Sequence, residues 1–503
     1  MINVKYVSIC FYLIWMLSFS FLSSPLHSQT VSALKLELEK LKNDAALAHS
    51  HWGVCVMDAA SGKLLAEHQS QHNLITASTM KALTTATALS MLGPDHTFTT
   101  KLEYAGKLLS DGTLEGDLFI RGSGDPSLGS SRFSPEQGME RVLFRWAEII
   151  KASGIKRIHG RIIGDASAFD SQLTPGDWGW SDMGNYYGAG AAGLNMTENT
   201  YRIMFKPGAY VGARTTVVKT IPFIKDIIFS NEVTTGKVGS GDNAYIYGAP
   251  YTNLRYLRGT IPAGVSTFTI KGSVPDPALF AARMLKNALS EQQVFTTGAS
   301  TTVRDLQIKR RPLPENRKLL YTHFSPKLRE IVKETNVWSI NMYAEALLKA
   351  LPNSKQKQGG TYNGISTLKA YWKSQGVDMS ASLIKDGSGL SSNNSVSPYL
   401  MTLMLTKVFN SPVKESFFES LPVAGRSGTL KRTGKGTYAE GRVHAKSGSI
   451  ANVRAYTGYV KTVGGDTLAF TITFNQYDLS YSQIQRRIVG IMDKMARLNN
   501  LSK

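Results

Sequence analysis

Apolar and polar positions alternate in two short runs near the start of the chain. Residues 52–57 (WGVCVM) and 63–68 (KLLAEH) flank AASG, which predicts an antiparallel hairpin. TASTMKALTTATALSML follows, a run of good helix formers with Thr76 or Ser78 as cap and Gly93-Pro94 as stop. From about 98 to 317 the pattern changes to short strands punctuated by Gly, Thr and Pro, with helices near 135–153 and 277–289. Helical spacing returns at 325–351, 364–375 and 398–409. Strands at 443–446, 455–461 and 468–474 close the sheet-forming part, with a turn at VGGD. A last helix over 482–498 places Ile484, Ile488, Ile491 and Met495 on one core-facing stripe. The same mixture of helix and strand stands on both sides of a strand-rich block. This predicts one α/β (α+β) domain whose sequence is split by an insertion of about 200 residues.

Composition narrows the class. A chain of 503 residues, 42 % hydrophobic and 19 % charged, is long enough for about three domains and is not disordered. Two cysteines exclude a disulfide scaffold. The first 28 residues carry one charge, Lys5, then an apolar run and small polar residues, which predicts a secretory leader cut near Ser28–Gln29, with an uncleaved N-terminal anchor as the alternative. Past residue 30 no apolar stretch approaches the roughly 20 residues needed to span a bilayer, so any membrane contact is peripheral. Export leaves Cys55 as the only thiol and makes nucleic acid an improbable partner for the net charge of +20. The densest basic stretch, Arg426 with Lys431, Arg432 and Lys435, has no interleaved aromatics and reads as a solvated loop.

Several motifs mislead. GAGAAG at 188–193 has the dinucleotide-binding spacing but neither a strand before it nor a helix after it. GTLKRTGKGT puts Gly436 where a P-loop needs Ser or Thr. No His/Cys cluster has metal-ligand spacing, which argues against a structural zinc site, and no G-x-S-x-G elbow is present, which removes the usual α/β-hydrolase reading.

Ser78-Thr79-Met80-Lys81 is different in kind. On a helix, residues three apart share a face, so the lysine amine reaches the serine hydroxyl. A free serine is a weak nucleophile and needs such a base. A lysine buried near the positive end of a helix tends to lose its proton, because desolvation and the dipole both oppose its charge. Ser339-Ile340-Asn341 opens a later helix, and Lys446-Ser447-Gly448-Ser449 lies on a strand 107 residues beyond Ser339. S-x-x-K followed by S-x-N and K-[ST]-G marks penicillin-binding proteins and serine β-lactamases. Each element alone has a plain structural reading as a helix cap or a strand end; together, in this order, they specify a site.

The chain resembles the class C low-molecular-mass penicillin-binding proteins, the D-alanyl-D-alanine carboxypeptidase/endopeptidase family, over nearly its whole mature length. Matching stretches include DLFIRGSGDPSL (117–128), GDWGWSDMGNYYGAGAAGLNMTEN (176–199), DGSGLS (386–391) and RVHAKSGSIANVRAYTGYV (442–460). The resemblance implies a penicillin-binding/serine β-lactamase-like fold, an antiparallel sheet flanked by helices. It assigns 29–97 and 318–503 to that domain and 98–317 to two nested subdomains, the second beginning at about 186. It implies acyl transfer without a cofactor. Ser78 would be the nucleophile and Lys81 the base, Ser339 and Lys446 would relay a proton, and Asn341 would hold the substrate amide. Ser447, Gly448 and Ser449 would bind the terminal carboxylate, with Ser388, Gly389 and Leu390 of DGSGLS nearby. Asp182, with Trp180 and Tyr187, is the candidate grip for the amine of the stem's diamino acid. Partners would be peptidoglycan stem peptides, with β-lactams as covalent inhibitors, in the periplasm or cell envelope; a homodimer stays open. Two departures stand out: KSGS replaces the usual K-T-G-T, and Ser392 follows DGSGLS where the family commonly has Arg. The alternatives are a β-lactamase on a related fold, for which GLNMTEN has Ala191 in place of the deacylating Glu, and a non-catalytic envelope-binding module.

Overall fold

A computed structural model describes residues 30–355 and 357–499. The leader expected over 1–28 lies outside the described residues. The two halves of the split domain meet in one five-stranded antiparallel sheet. Its order is Val443–Ile450, Val453–Lys461, Thr467–Asn475, His51–Asp58, Leu64–His68. The first and last strands in sequence are thus neighbours, and the predicted hairpin pairs as expected.

The two-residue period of the strands divides the sheet into two unlike faces. Trp52, Val54, Val56, Leu468, Phe470, Ile472 and Phe474 cover one, against helices Val31–Lys42 and Tyr481–Ala496. The stripe of Ile484, Ile488, Ile491 and Met495 is fully buried there. Small residues on the other face let helix Pro398–Phe409 come close: a Cβ on Gly53 would stand 2.9 Å from Pro398 Cγ. Cys55 is a free, buried thiol, and burial pushes its pKa up to about 12, which makes it inert.

Beyond that face lies a second core. It is built by helices Met80–Leu92, Leu328–Trp338, Asn341–Ala350, Thr361–Ser374 and Lys414–Ser420. The first of these is buried on every side from Met80 to Leu89, so it forms the axis of the helical layer. Two expectations need correction here. Neither Thr76 nor Ser78 caps the helix. A 3-10 turn, Ala77–Thr79, precedes it, Thr79 Oγ1 donates back to the Thr76 carbonyl at 2.6 Å, and the Ser78 hydroxyl is left free. The helical stretch 325–351 is also two helices, broken where Ser339 takes φ +59°.

The intervening block makes a mixed seven-stranded sheet from Thr99–Leu108, Thr113–Gly122, Arg157–Ile158, Ile162–Asp165, Phe295–Thr296, Ser300–Thr302 and Lys318–Phe324. Helices Met139–Ala152 and Pro277–Glu291 pack on it. Two smaller sheets lie between its strands in sequence, one of Thr200–Lys206, Thr216–Ile221 and Phe268–Ser273, the other centred on Leu254–Pro262. One continuous core, from Leu102 and Trp146 to Ile203 and Ile270, joins all three sheets. Among the described residues no helix is long and apolar enough to cross a membrane.

The C-terminal helix adds a fully enclosed stripe to the central sheet, so Ile488→Ala should cost about 2–5 kcal/mol. A lower urea midpoint for the transition reported by the neighbouring Trp52 checks this.

Candidate active site

Three sequence-distant pieces converge where the edge strand Val443–Ile450 passes the turn Ala77–Thr79. Gly448 permits that approach. A Cβ there would lie 2.7 Å from the Thr76 carbonyl and 3.0 Å from the amide nitrogens of Ser78 and Thr79. Lys81 Nζ lies 3.0 Å from Ser78 Oγ and donates to the Ser388 carbonyl at 2.7 Å. The Lys81 side chain is fully buried. Burial pushes its pKa down to about 7, and the carboxylates of Asp386 and Glu345 pull the other way.

Lys446 Nζ donates to Ser339 Oγ at 2.9 Å and to the Ser447 carbonyl at 2.8 Å. Burial, with the nearby Lys81 ammonium, drives it well below the ordinary lysine range. Ser339 stands at the break between two helices, and its left-handed conformation turns the hydroxyl toward Lys446. One residue into the next helix beyond Ile340, Asn341 Nδ2 donates to the Tyr187 carbonyl at 2.8 Å. Ser447 Oγ donates to Thr429 Oγ1 at 2.8 Å, and Ser449 is exposed at the strand's end.

The loop containing Ser388, Gly389 and Leu390 is a support rather than a wall. Ser388 is buried and its carbonyl holds Lys81, while its Oγ accepts from the Leu390 amide at 3.3 Å. Gly389 has φ +77°, and a Cβ on it would lie 1.8 Å from the Ala77 carbonyl. Two acids that the motif search passed over anchor this loop. Asp386 accepts from Gly389 N (2.7 Å), Ser391 N (2.7 Å), Asn394 Nδ2 (2.7 Å) and Trp178 Nε1 (2.9 Å). The peptide group whose carbonyl meets Lys81 therefore has its own N–H on a carboxylate, which strengthens that carbonyl as an acceptor. Glu345 accepts from Gly387 N at 3.0 Å and Ser388 N at 2.7 Å. Burial and the Asp386 charge push the Glu345 carboxyl up to about 7. Glu345 lies four residues after Asn341, a spacing that places both on one helix face and was a readable signal. Thr429 sits in the basic stretch read as a solvated loop and carried none.

The three remaining candidates divide. Tyr187 reaches the cluster through its carbonyl on Asn341. Asp182, on the short helix Trp180–Met183, is half-buried and hydrogen-bonded to the Tyr187 side chain, and burial raises its pKa. Trp180 is 49 % exposed and leans on Tyr247 and Tyr256, with ring centroids at 5.0 and 6.2 Å.

If Lys81 is the base for acylation of Ser78 by a β-lactam, the reactive form is its neutral amine, which predominates above pH 7, so the rate should rise through about pH 7 and level off. Removing the Glu345 charge that favours the ammonium form (Glu345→Gln) should move that rise to lower pH, as stopped-flow acylation at several pH values would show. Gly448→Ala should slow acylation by roughly 10²-fold, because the strand must retreat from the nucleophile turn. Circular dichroism serves as the folding control.

The model of the D-Ala-D-Ala carboxypeptidase 3 (S13) family matches residues 34–495. A D-alanyl-D-alanine carboxypeptidase of Actinomadura sp. (strain R39) is 29 % identical over 458 residues, which cover 88 % of this chain and 81 % of that protein. The D-alanyl-D-alanine carboxypeptidase DacB of Haemophilus influenzae is 25 % identical over 435 residues, covering 85 % and 86 %. The crystal structure of penicillin-binding protein 4 (dacB) from H. influenzae superposes with a TM-score of 0.76 at 22 % identity, covering 92 % of this chain and 98 % of that one, so the two share a fold. The chain belongs to the D-Ala-D-Ala carboxypeptidase 3 (S13) family of serine peptidases.

Proposed function

We propose that this protein is a serine DD-peptidase of peptidoglycan, hydrolysing D-Ala-D-Ala ends, D-Ala-diamino acid cross-links, or both, through an acyl-enzyme on Ser78. The observation that carries the reading is the buried Lys81 amine 3.0 Å from the Ser78 hydroxyl. Lys81 takes the hydroxyl proton as Ser78 Oγ attacks the carbonyl between the two D-alanines. Backbone N–H groups of Ser78 and Ser449 face the developing oxyanion. Ser339, in contact with Lys446, passes a proton to the departing amine. Lys446 and the hydroxyls of Ser447 and Ser449 receive the terminal carboxylate, with Thr429 behind Ser447. Strand Val443–Ile450 pairs with 422–424 only as far as Ala445, so its remainder is a sheet edge that offers backbone groups to an extended peptide. Water then releases the acyl group.

β-Lactams imitate the dipeptide and acylate the same serine; a solved relative of the same fold, the H. influenzae penicillin-binding protein 4, is recorded in complex with one. Asp182, held by Tyr187, is the group suited to a stem ammonium. Residues 29–97 and 318–503 form the catalytic domain in this reading, and 98–317 form the nested insertion. The leader directs the protein to the periplasm or cell envelope.

Labelling with a fluorescent penicillin, followed by digestion and mass spectrometry, tests the proposal. The adduct is expected on Ser78, absent in Ser78→Ala, and slowed roughly 10²- to 10⁴-fold in Lys81→Ala. D-Ala release from a D-Ala-D-Ala peptide should follow the same order. An unlabelled wild type, or an undiminished adduct in Ser78→Ala, would overturn it.

A further inference from the structure

A cavity of about 120 Å³ opens beside Ser339 and Asn341 and reaches residues of the insertion, Arg132 and Lys271, to which no step above gives a role. Both parts of the chain wall it: Trp338 and Ile340 from the catalytic domain, Arg132, Tyr186 and Lys271 from the insertion. Its one acid is already engaged. Glu198 accepts from Ser130 and from the Tyr343 hydroxyl (3.1 Å), and it stands 3.5 Å from Arg132. Arg132 also reaches Glu334 at 3.7 Å. Lys271 is exposed and pairs with no carboxylate among the described residues.

Lys271 lies on strand Phe268–Ser273 directly opposite Arg202 on Thr200–Lys206. The alternate positions Tyr201, Ile203, Phe205 and Ile270 are buried in the insertion's core. Arg202 and Lys271 therefore share the outer face with Thr200, which also lines the cavity. Arg202 too is exposed and makes no ion pair among the described residues. Like charges directly opposite each other on neighbouring strands repel and destabilise the sheet. A bound anion would relieve that repulsion.

We infer that Lys271 and Arg202 form an anion subsite, continuous with the catalytic cleft, for a carboxylate of the stem peptide upstream of its D-Ala-D-Ala end. The inference rests on the function proposed above. Continuity selects the occupant, because the same cavity is walled by Asn341, the residue assigned to the substrate amide. An acidic peptide held there runs onward past Tyr187 to the paired cations. Arg202 offers a planar fork and Lys271 a point charge, the two usual ways of gripping a carboxylate. The exposed rings of Trp338 and Tyr186 flank the opening and keep water from surrounding the ion pair on all sides.

Calorimetry on the Ser78→Ala protein, which cannot turn ligand over, reads this directly. The probes are α,ε-diacetyl-lysyl-D-Ala-D-Ala, with no upstream carboxylate, and a pentapeptide stem with a free γ-linked glutamate carboxylate. The acidic probe should bind roughly fivefold more tightly at low ionic strength, and the advantage should shrink as salt rises. Lys271→Met or Arg202→Met should remove most of that advantage and Lys271→Glu should reverse it, with the diacetyl-lysyl probe as internal reference. Equal affinity for both probes, equal losses for both in Lys271→Glu, or no binding of the acidic probe would overturn the inference. The proposed DD-peptidase function fails on a different result, an unlabelled Ser78 in penicillin-treated protein.

Discussion

A lysine amine held out of water beside a serine hydroxyl is the constraint around which this molecule is arranged. Stripping an ammonium of its water costs several kcal/mol unless charges or hydrogen bonds replace the solvent. Lys81 meets one carbonyl, from Ser388, and feels two carboxylates, Asp386 and Glu345. That is enough to keep the side chain in place and too little to keep it fully protonated at neutral pH. A surface lysine would remain an ammonium and be no base. A lysine with a carboxylate in direct contact would be held in the charged form. The useful state lies between, and it depends on acids placed one residue shell away.

Those acids explain features that look unrelated in the chain. Asp386 and Glu345 spend their oxygens on backbone N–H groups of 387–391, which fixes the carbonyl that faces Lys81. Gly389 lets that loop lie against Ala77, and Gly448 lets the edge strand lie against Ser78. Ser339 occurs where a helix has to end, and the left-handed turn that ends it aims its hydroxyl at Lys446. Close approach, not length of side chain, brings the three motifs within hydrogen-bonding range.

Much of this was readable in advance, and the exceptions share a cause. The hairpin, the closing strands and the Ile484–Met495 stripe follow local periodicity, so local pattern predicted them. Ser78, Lys81, Ser339 and Lys446 stood out because their spacing carries chemistry. Asp386 did not, and Glu345 offered only its spacing from Asn341, since an acid's role here depends on which amides a distant loop presents to it. The capping role expected of Thr76 or Ser78 failed for a related reason. Local propensity favours a hydroxyl as cap, but Ser78 lies inside a 3-10 turn and its oxygen meets the Lys81 amine in place of a backbone N–H. Trp180, a candidate for the site, lies half-exposed against Tyr247 and Tyr256 of the insertion.

The insertion is part of the catalytic assembly and not an appendage to it. Trp178 donates to Asp386, the Tyr187 carbonyl accepts from Asn341, and the carbonyls of Gln172, Leu173 and Ala191 surround the buried ammonium of Lys349. Each of these bonds satisfies a polar group of the penicillin-binding half. Left without its partner, a buried group of this kind costs about 1–3 kcal/mol, more when charged. Withdrawing the segment 172–191 would therefore leave the Lys349 ammonium and the Asn341 amide without their carbonyls and take one of four donors from Asp386. The penalty ties the two parts into a single cooperative unit around the cleft.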